Sequence, residues 1–121
     1  MATGTIKASV GRADANEDIY SSITWTVAPS ANNSKFIRNG HCYELTYCNT
    51  TAKSYGTTAA IGTIGTAAYR PTCAFYVSGF HDTDGKPVNG GIYIATDGTI
   101  TYYGTALTNI KLDFHATWVN T

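Results

Sequence analysis

The sequence predicts an all-β fold, a β-sandwich or jelly roll that forms one domain over residues 1–121. Short runs of β-branched and aromatic residues alternate with polar ones, which is the pattern of half-buried strands. Gly, Asn and Asp separate these runs and mark the turns. No stretch of roughly ten or more residues has helical periodicity. About eight short strands joined by turns are typical of a sandwich or jelly roll.

The strand pattern recurs along the chain and is clearer in some segments than in others. Strands are predicted at residues 4–10, 19–27, 41–49, 72–80, 91–95, 99–103 and 110–119, and residues 50–68 are expected to be a loop with one short strand. Segment 72–80 is apolar on both faces, so we expect it to be covered on both sides. In the last strand the expected core residues are Ile110, Leu112, Phe114, Ala116 and Trp118.

The clearest local signal is a hairpin at Asp97-Gly98, which lies between two alternating runs. A tight two-residue turn requires positive φ at both positions. Asp tolerates that conformation and Gly favours it. The sequence therefore predicts a two-residue turn here.

Composition limits the partners. Charged residues make up 13% of the chain and the formal net charge is zero, so nucleic acid and anionic lipid are not expected as partners. No apolar run is long enough for membrane insertion. With nine Tyr, four Phe and two Trp, the chain has too much aromatic surface to stay disordered. No cofactor is expected.

The three cysteines are expected to be buried, reduced thiols in a protein folded in a bacterial cytoplasm. Cys42 and Cys48 lie on one predicted strand, about 20 Å apart. A disulfide needs Cα atoms within roughly 7 Å, so these two cannot be bridged. The first residues, Met1 to Gly4, resemble an initiator methionine placed at a domain boundary. We therefore expect the natural chain to continue upstream.

Catalysis and metal binding are weakly indicated. Glu44 and Asp113 are both in mid-strand and could face one another as a glycosidase pair does, but no other feature supports an enzyme. The loop from His81 to Gly85 holds several oxygen and nitrogen ligands. Lys86 occupies a position that a calcium loop needs for a ligand, which favours a plain polar turn. We expect neither catalytic residues nor a metal.

Segment 61–103 resembles the receptor-binding head domains of tail-tip and baseplate proteins in phages of Gram-positive bacteria. The residues that carry the resemblance are Ile64-Gly65-Thr66, Tyr69-Arg70-Pro71, Gly91-Ile92-Tyr93-Ile94 and Asp97-Gly98-Thr99-Ile100. One proline of the family pattern is absent, because residues 65–68 run directly into Tyr69. The resemblance implies a tumour-necrosis-factor-like jelly roll, a homotrimer, a place in the virion among other tail or baseplate proteins, and adhesion to a host cell-surface glycan.

Sugars need planar polar groups beside an aromatic platform. The expected saccharide site combines His81, Asp82 and Asp84 with Tyr102 or Tyr103. Three further residues are assigned to structure or interface: Phe75 and Tyr76 in the doubly apolar strand, and Arg70, which Pro71 holds extended and which is expected to pair with a carboxylate of a neighbouring strand or subunit.

Two other functions remain open. A purely structural baseplate or fibre domain would also be poor in charge and rich in Tyr. A carbohydrate-binding module of a cell-wall hydrolase would also bind sugars, but as a monomer.

Overall fold

The computed structural model describes residues 16–120. These residues form 11 strands and three short 3₁₀ turns. Strands account for 58% of the described residues, which confirms the predicted all-β class. The predicted strand at residues 4–10 lies outside the described residues. Within the described part of the chain, no helix is long and apolar enough to cross a bilayer.

The strands form one large and one small antiparallel sheet. Their bounds are β1 (Asn16–Asp18), β2 (Ile23–Trp25), β3 (Lys35–Asn39), β4 (Cys42–Cys48), β5 (Lys53–Tyr55), β6 (Thr58–Ile64), β7 (Phe75–His81), β8 (Pro87–Ile94), β9 (Thr99–Gly104), β10 (Leu107–Ile110) and β11 (Leu112–Val119). The 3₁₀ turns are Tyr20–Ser22, Ala31–Asn33 and Ala67–Tyr69. The nine-stranded sheet has the order β1-β3-β4-β11-β7-β8-β9-β6-β2, and β10 pairs with β5 in the second sheet.

The large sheet curls so that its edge meets its middle. Trp25 of the edge strand β2 packs on Tyr47 of β4, with ring centroids 5.6 Å apart. The Tyr47 hydroxyl donates a hydrogen bond to the Val27 carbonyl at 2.9 Å. Strands that are not neighbours in the sheet therefore enclose one core.

Alternation in β4 and β11 places one face of each strand in that core. The buried residues are Tyr43, Leu45 and Tyr47 in β4, and Leu112, Phe114, Ala116 and Trp118 in β11. The predicted inward face of the last strand is confirmed for these four residues. Ile110 belongs to β10 instead, because Lys111 separates β10 from β11, and Ile110 is only half-buried.

Two strand predictions were wrong. Segment 19–27 contains a 3₁₀ turn and only a three-residue strand, since Asp18 accepts a hydrogen bond from the Tyr20 N–H and the Ser22 hydroxyl donates to the Ile19 carbonyl. Such local bonds compete with strand pairing. Segment 50–68 contains two strands instead of one, because Gly62 leaves space for the Trp25 ring and lets β6 lie inside the sheet.

The hairpin is confirmed, but its turn has three residues. The Ala95 N–H donates to Thr99 O and the Gly98 N–H donates to Ala95 O, each at 3.0 Å. Only Gly98 has positive φ, at 89°, so the expected positive φ at Asp97 was wrong. Asp97 instead accepts hydrogen bonds from the N–H and the hydroxyl of Thr99. This is the type I turn followed by a glycine bulge that three-residue hairpins favour.

The second apolar face of β7 is uncovered in the single chain. Tyr76 is 65% exposed and Phe80 is 40% exposed. On the inward face of β7, Leu112 and Ile92 pack so closely on Gly79 that a Cβ atom there would collide with them. The expected cover on both sides is therefore absent within one chain.

The cysteines also differ from expectation. Cys42 and Cys48 stand at opposite ends of β4, and all three thiols are free. Cys42 and Cys73 are exposed and Cys48 is half-buried, so the predicted burial of the thiols was wrong.

Candidate functional site

A groove opens on the outer face of the sheet where β7 and β11 separate. These strands pair only at Leu112–His81 and Asp113–Phe80, and then diverge. The opening has a volume of about 530 Å³. We call it the β7–β11 groove, and its lining residues are Asn33, Thr46, Tyr47, Cys48, Ser78, Phe80, Asp113, Phe114 and His115.

Three functional side chains meet at one end of the groove. Cys48 lies opposite Asp113 in the β4–β11 register, and Asp82 follows β7, whose Phe80 also pairs with Asp113. The thiol and the two carboxylates offer ligand atoms that all lie within 4.8 Å of one another. The Cys48 thiol donates to Asp82 Oδ1 at 3.6 Å. Strand pairing therefore brings together residues that are 65 positions apart at the extremes (113 − 48).

Backbone hydrogen bonds hold this end of the groove in place. The Asp82 N–H donates to the Lys111 carbonyl at 2.8 Å. The Asn49 N–H donates to Asp113 Oδ1 at 3.3 Å. The turn after β7 is thereby tied to both β11 and β4, so the two carboxylates are fixed close together.

Burial and the neighbouring carboxylate change the protonation of this cluster. Burial first, and then the hydrogen bond with Asp82, raise the pKa of Asp113 to about 6. Burial and the two carboxylates raise the pKa of the Cys48 thiol to about 12. At neutral pH the thiol is therefore protonated, and it serves as a weak donor and not as a nucleophile.

His115 lies two residues from Asp113 on the same outward face of β11, and it also lines the groove. Its Nε2 lies 3.0 Å from Glu44 Oε2, and Lys35 Nζ lies 3.6 Å from Glu44 Oε1. The hydrogen bond from His115 lowers the pKa of Glu44. The contact with Glu44 occupies Nε2 and leaves Nδ1 as the second polar atom of the ring.

The saccharide site predicted from sequence is not brought together. Asp82 reaches the groove, but Asp84 accepts a hydrogen bond from the Lys86 N–H at 3.0 Å and serves the turn. His81 ends β7 and pairs with Leu112. Asp84 therefore has the ordinary role of an Asp in a turn.

Neither predicted tyrosine accompanies Asp82. Tyr102 is fully buried, and its hydroxyl donates to the Thr105 carbonyl at 2.6 Å. Tyr103 is 41% exposed but pairs with Gly91, four residues along β8 from Pro87. Gly91 therefore lies about 13 Å along β8 from Pro87, the residue at which the loop ends. Contrary to the prediction, this loop therefore does not lie beside Tyr102 or Tyr103.

Glu44 and Asp113 do not face one another. Glu44 lies opposite Thr117 and Asp113 lies opposite Cys48, which separates them by four residues along the ladder. The distance along the strand is about 13 Å. Paired glycosidase carboxylates stand roughly 5–10 Å apart with the sugar between them. His115 instead occupies the intervening position on the same face.

Arg70 has a structural role, but with different partners from those expected. Its Nε donates to the Ile64 carbonyl at 2.8 Å and its Nη2 donates to the Gly65 carbonyl at 3.2 Å. It therefore fastens the chain beside the Gly98 turn. Within the described residues Arg70 forms no ion pair with a carboxylate of its own chain, and a carboxylate partner in a neighbouring subunit stays a prediction. Phe75 is half-buried against Trp118, with ring centroids 5.9 Å apart.

Sequence reasoning missed most of the groove. Alternation correctly placed Asp113 and His115 on the outward face of the last strand, but Cys48 was expected to be buried. Only the order of strands in the sheet makes β11 the neighbour of both β4 and β7. Long-range pairing of this kind leaves no local sequence signal.

No protein-family model matches the chain, and no curated protein matches it significantly in sequence. The chemistry of the groove must therefore be argued from its own residues. They offer carboxylates, an imidazole, hydroxyls and one exposed aromatic ring, which suit a small polyhydroxylated ligand.

Proposed function

We propose that this domain is an adhesion module that binds a host cell-surface saccharide in the β7–β11 groove. The observation that carries the proposal is an open groove that Asp113, His115 and the exposed ring of Phe80 line together, with Asp82 directly beside Asp113. A volume of about 530 Å³ is within the range of small-molecule sites.

Each part of the groove has a task in sugar recognition. Carboxylates accept hydrogen bonds from neighbouring hydroxyl groups, and such charge-assisted bonds are about twice as strong as neutral ones. His115 Nδ1, Thr46 and Ser78 can donate or accept. Phe80 supplies an apolar surface for the C–H face of a sugar ring. Affinity at a single groove should be micromolar to millimolar in order of magnitude, since hydroxyls must first lose water.

The resemblance to phage receptor-binding heads supports a wider proposal. In it, the curled sheet is the jelly roll of a homotrimeric tail-tip or baseplate domain in the virion. Three copies would multiply a weak site through avidity. The exposed Tyr76 and Phe80 also favour a second candidate, a structural baseplate domain whose β7 face binds another protein.

Binding to a glycan array tests the proposal, with the Asp113→Asn and Asp82→Asn variants beside the parent domain. We expect retention of a saccharide by the parent and its loss by both variants. Asp84→Asn is the matched control, because it removes the same charge from the same turn but outside the groove. If the array retains nothing, or if Asp84→Asn alone loses the sugar, the groove is not the site.

Solution mass separates the architectures. A trimer by light scattering at micromolar concentration supports the tail-tip proposal. A stable monomer that binds sugar would favour the appended carbohydrate-binding module, and a trimer without sugar binding would favour the structural baseplate domain.

A further inference from the structure

The outer face of β7, β8 and β9 carries a second cluster of aromatic rings, away from the acidic end of the groove. Tyr76 and Tyr93 have ring centroids 4.7 Å apart, and Tyr93 and Tyr103 have centroids 6.0 Å apart. Tyr76 is 65% exposed and Tyr103 is 41% exposed. We call these three residues, together with Gly91 between their strands, the tyrosine face.

Gly91 leaves a recess in the middle of this face. It lies on the central strand β8, opposite Ser78 on one side and Tyr103 on the other. Tyr93 is the next outward residue along β8. Neighbouring strands lie about 4.8 Å apart, so the β7 and β9 backbones on either side of Gly91 lie roughly 10 Å apart.

Within residues 16–120, no neighbour of Gly91 requires a glycine at this position. A Cβ atom there would meet only Val77 O at 3.4 Å and Tyr76 Cδ2 at 4.0 Å, which are ordinary contacts. By contrast, a Cβ at Gly62, Gly79 or Gly90 would collide with Trp25, Leu112 or Tyr102, respectively. A strand glycine without a packing reason often marks a place where a ligand approaches the backbone.

The chemistry of the recess selects for an uncharged ligand with an apolar face. The outward residues of β7, β8 and β9 around it are uncharged: Tyr76, Ser78, Asn89, Tyr93, Thr99, Thr101 and Tyr103. A pyranose ring stacks its C–H face on aromatic rings and turns its hydroxyls to the hydroxyls at the edge. An anionic sugar would find no counter-charge on this face.

We infer that the Gly91 recess is a second saccharide site, which takes an uncharged pyranose ring against the tyrosine face. Ser78 both lines the β7–β11 groove and pairs with Gly91, so one glycan chain can reach both sites. The inference rests on the proposed saccharide function, but not on the residues at the acidic end of the groove.

The test is an NMR titration of the isotope-labelled domain with three neutral probes, methyl β-D-glucopyranoside, methyl β-D-galactopyranoside and N-acetyl-D-glucosamine, and one anionic probe, D-glucuronate. We expect at least one neutral probe to shift the amides of Gly91 and Tyr93 with a Kd on the order of 1–10 mM. D-glucuronate should bind there at least about tenfold more weakly.

Gly91→Ala is the decisive variant, because it fills the recess without strain. It should weaken the neutral probe about tenfold while Tm stays level or rises, since alanine is favoured over glycine in a strand interior. Gly91→Val should remove binding. Gly56→Ala is the matched control: a Cβ there meets nothing within 4 Å, and binding should be unchanged.

Each outcome has a distinct meaning. Unchanged binding by Gly91→Ala, or no shift at Gly91 with any neutral probe, overturns the inference. If the amides of Asp113 and His115 shift while Gly91 does not, the groove stands and the recess fails. If only Gly91 shifts, the groove proposal fails and the recess stands. A changed solution mass of Gly91→Val without any sugar effect would instead identify a protein-binding face and overturn the inference.

Discussion

Two parts of the same outer surface differ in the chemistry of their side chains. The β4–β11 side carries titratable groups: Lys35 and Glu44 form ion pairs, and Asp113 shares a pocket with Asp82. Around Gly91, the outward residues of β7, β8 and β9 in the described part of the chain are uncharged. The two regions also differ in backbone, because β7 and β11 diverge at the groove while β7, β8 and β9 stay paired. Under the proposed function, one surface would bind a polar end of a ligand and an apolar ring next to it.

The largest expected effect is a difference in stability between alanine substitutions at two adjacent glycines of β8, Gly90 and Gly91, which belong to opposite faces of the sheet. At Gly90 a Cβ atom would collide with the ring and hydroxyl of Tyr102, a fully buried side chain. Gly90→Ala should therefore lower the free energy of unfolding by about 2–3 kcal/mol, as overpacked cores do.

Urea denaturation of Gly90→Ala and Gly91→Ala measures this contrast. Gly91→Ala should be stabilising by about 0.5 kcal/mol or neutral. Equal losses in both variants would show that position 91 is as constrained as position 90, and the tyrosine face would have no open recess.

The second largest effect is expected on the affinity of the groove for a saccharide. His115→Ala removes the imidazole that lies beside Asp113 on the outward face of β11. It should weaken saccharide binding about tenfold, or roughly 1.4 kcal/mol, the order of a hydrogen bond to a charged group. Calorimetry with the glycan selected on the array measures it, and Thr117→Ala, two residues along the same outward face, is the control. Equal losses in the two variants would place the sugar elsewhere on β11.

The sequence predicted the fold better than it predicted the site, for a physical reason. Strands such as β4 and β11 bury every second residue, so the period of two is visible locally. β6 was underestimated because Ala59, Ala60 and Gly62 are weak strand formers, and tertiary packing of Trp25 on Gly62 overrides that preference.

The site depends on which strands become neighbours. Asp82 was selected because it lies in a polar loop, which is a local feature. Cys48 and Asp113 come from distant strands, and nothing near them in sequence shows that β11 joins β4 to β7. The splay of β7 from β11, which opens the groove, follows from side-chain packing that alternation does not specify.

The acidic end of the groove should make stability fall as pH rises. The folded-state pKa of Asp113 is about 6, above its ordinary value of 3.8, so the folded state holds its proton more tightly than the unfolded chain. This contribution is fully present below pH 3.8 and is lost as pH rises through about 6. Since Asp113 is partly exposed, the effect should be only about 1 kcal/mol.

Asp113→Asn isolates that contribution. The variant should match the parent near pH 4 and exceed it in unfolding free energy at pH 8, measured by denaturation across pH. Asp97→Asn is the control of opposite sign, because hydrogen bonds from Thr99 lower the pKa of Asp97 and stabilise its ionised form. A parallel pH profile for the parent and Asp113→Asn would show that the two carboxylates do not share a proton.

The smallest effect on stability is expected at the exposed ion pairs of Glu44. Glu44 bonds both His115 and Lys35, but the three side chains are 41–53% exposed. Exposed ion pairs contribute little, so Glu44→Gln should lower the unfolding free energy by less than about 0.5 kcal/mol at neutral pH. The pKa of Glu44 is lowered, so its contribution is present above the ordinary glutamate pKa and vanishes as pH falls through the folded value. Added salt should shrink the difference between variant and parent, since exposed charges are screened. A loss above about 1 kcal/mol, or one insensitive to salt, would mean that this surface is held together by its charges, and the contrast with the uncharged tyrosine face would then concern stability as well as recognition.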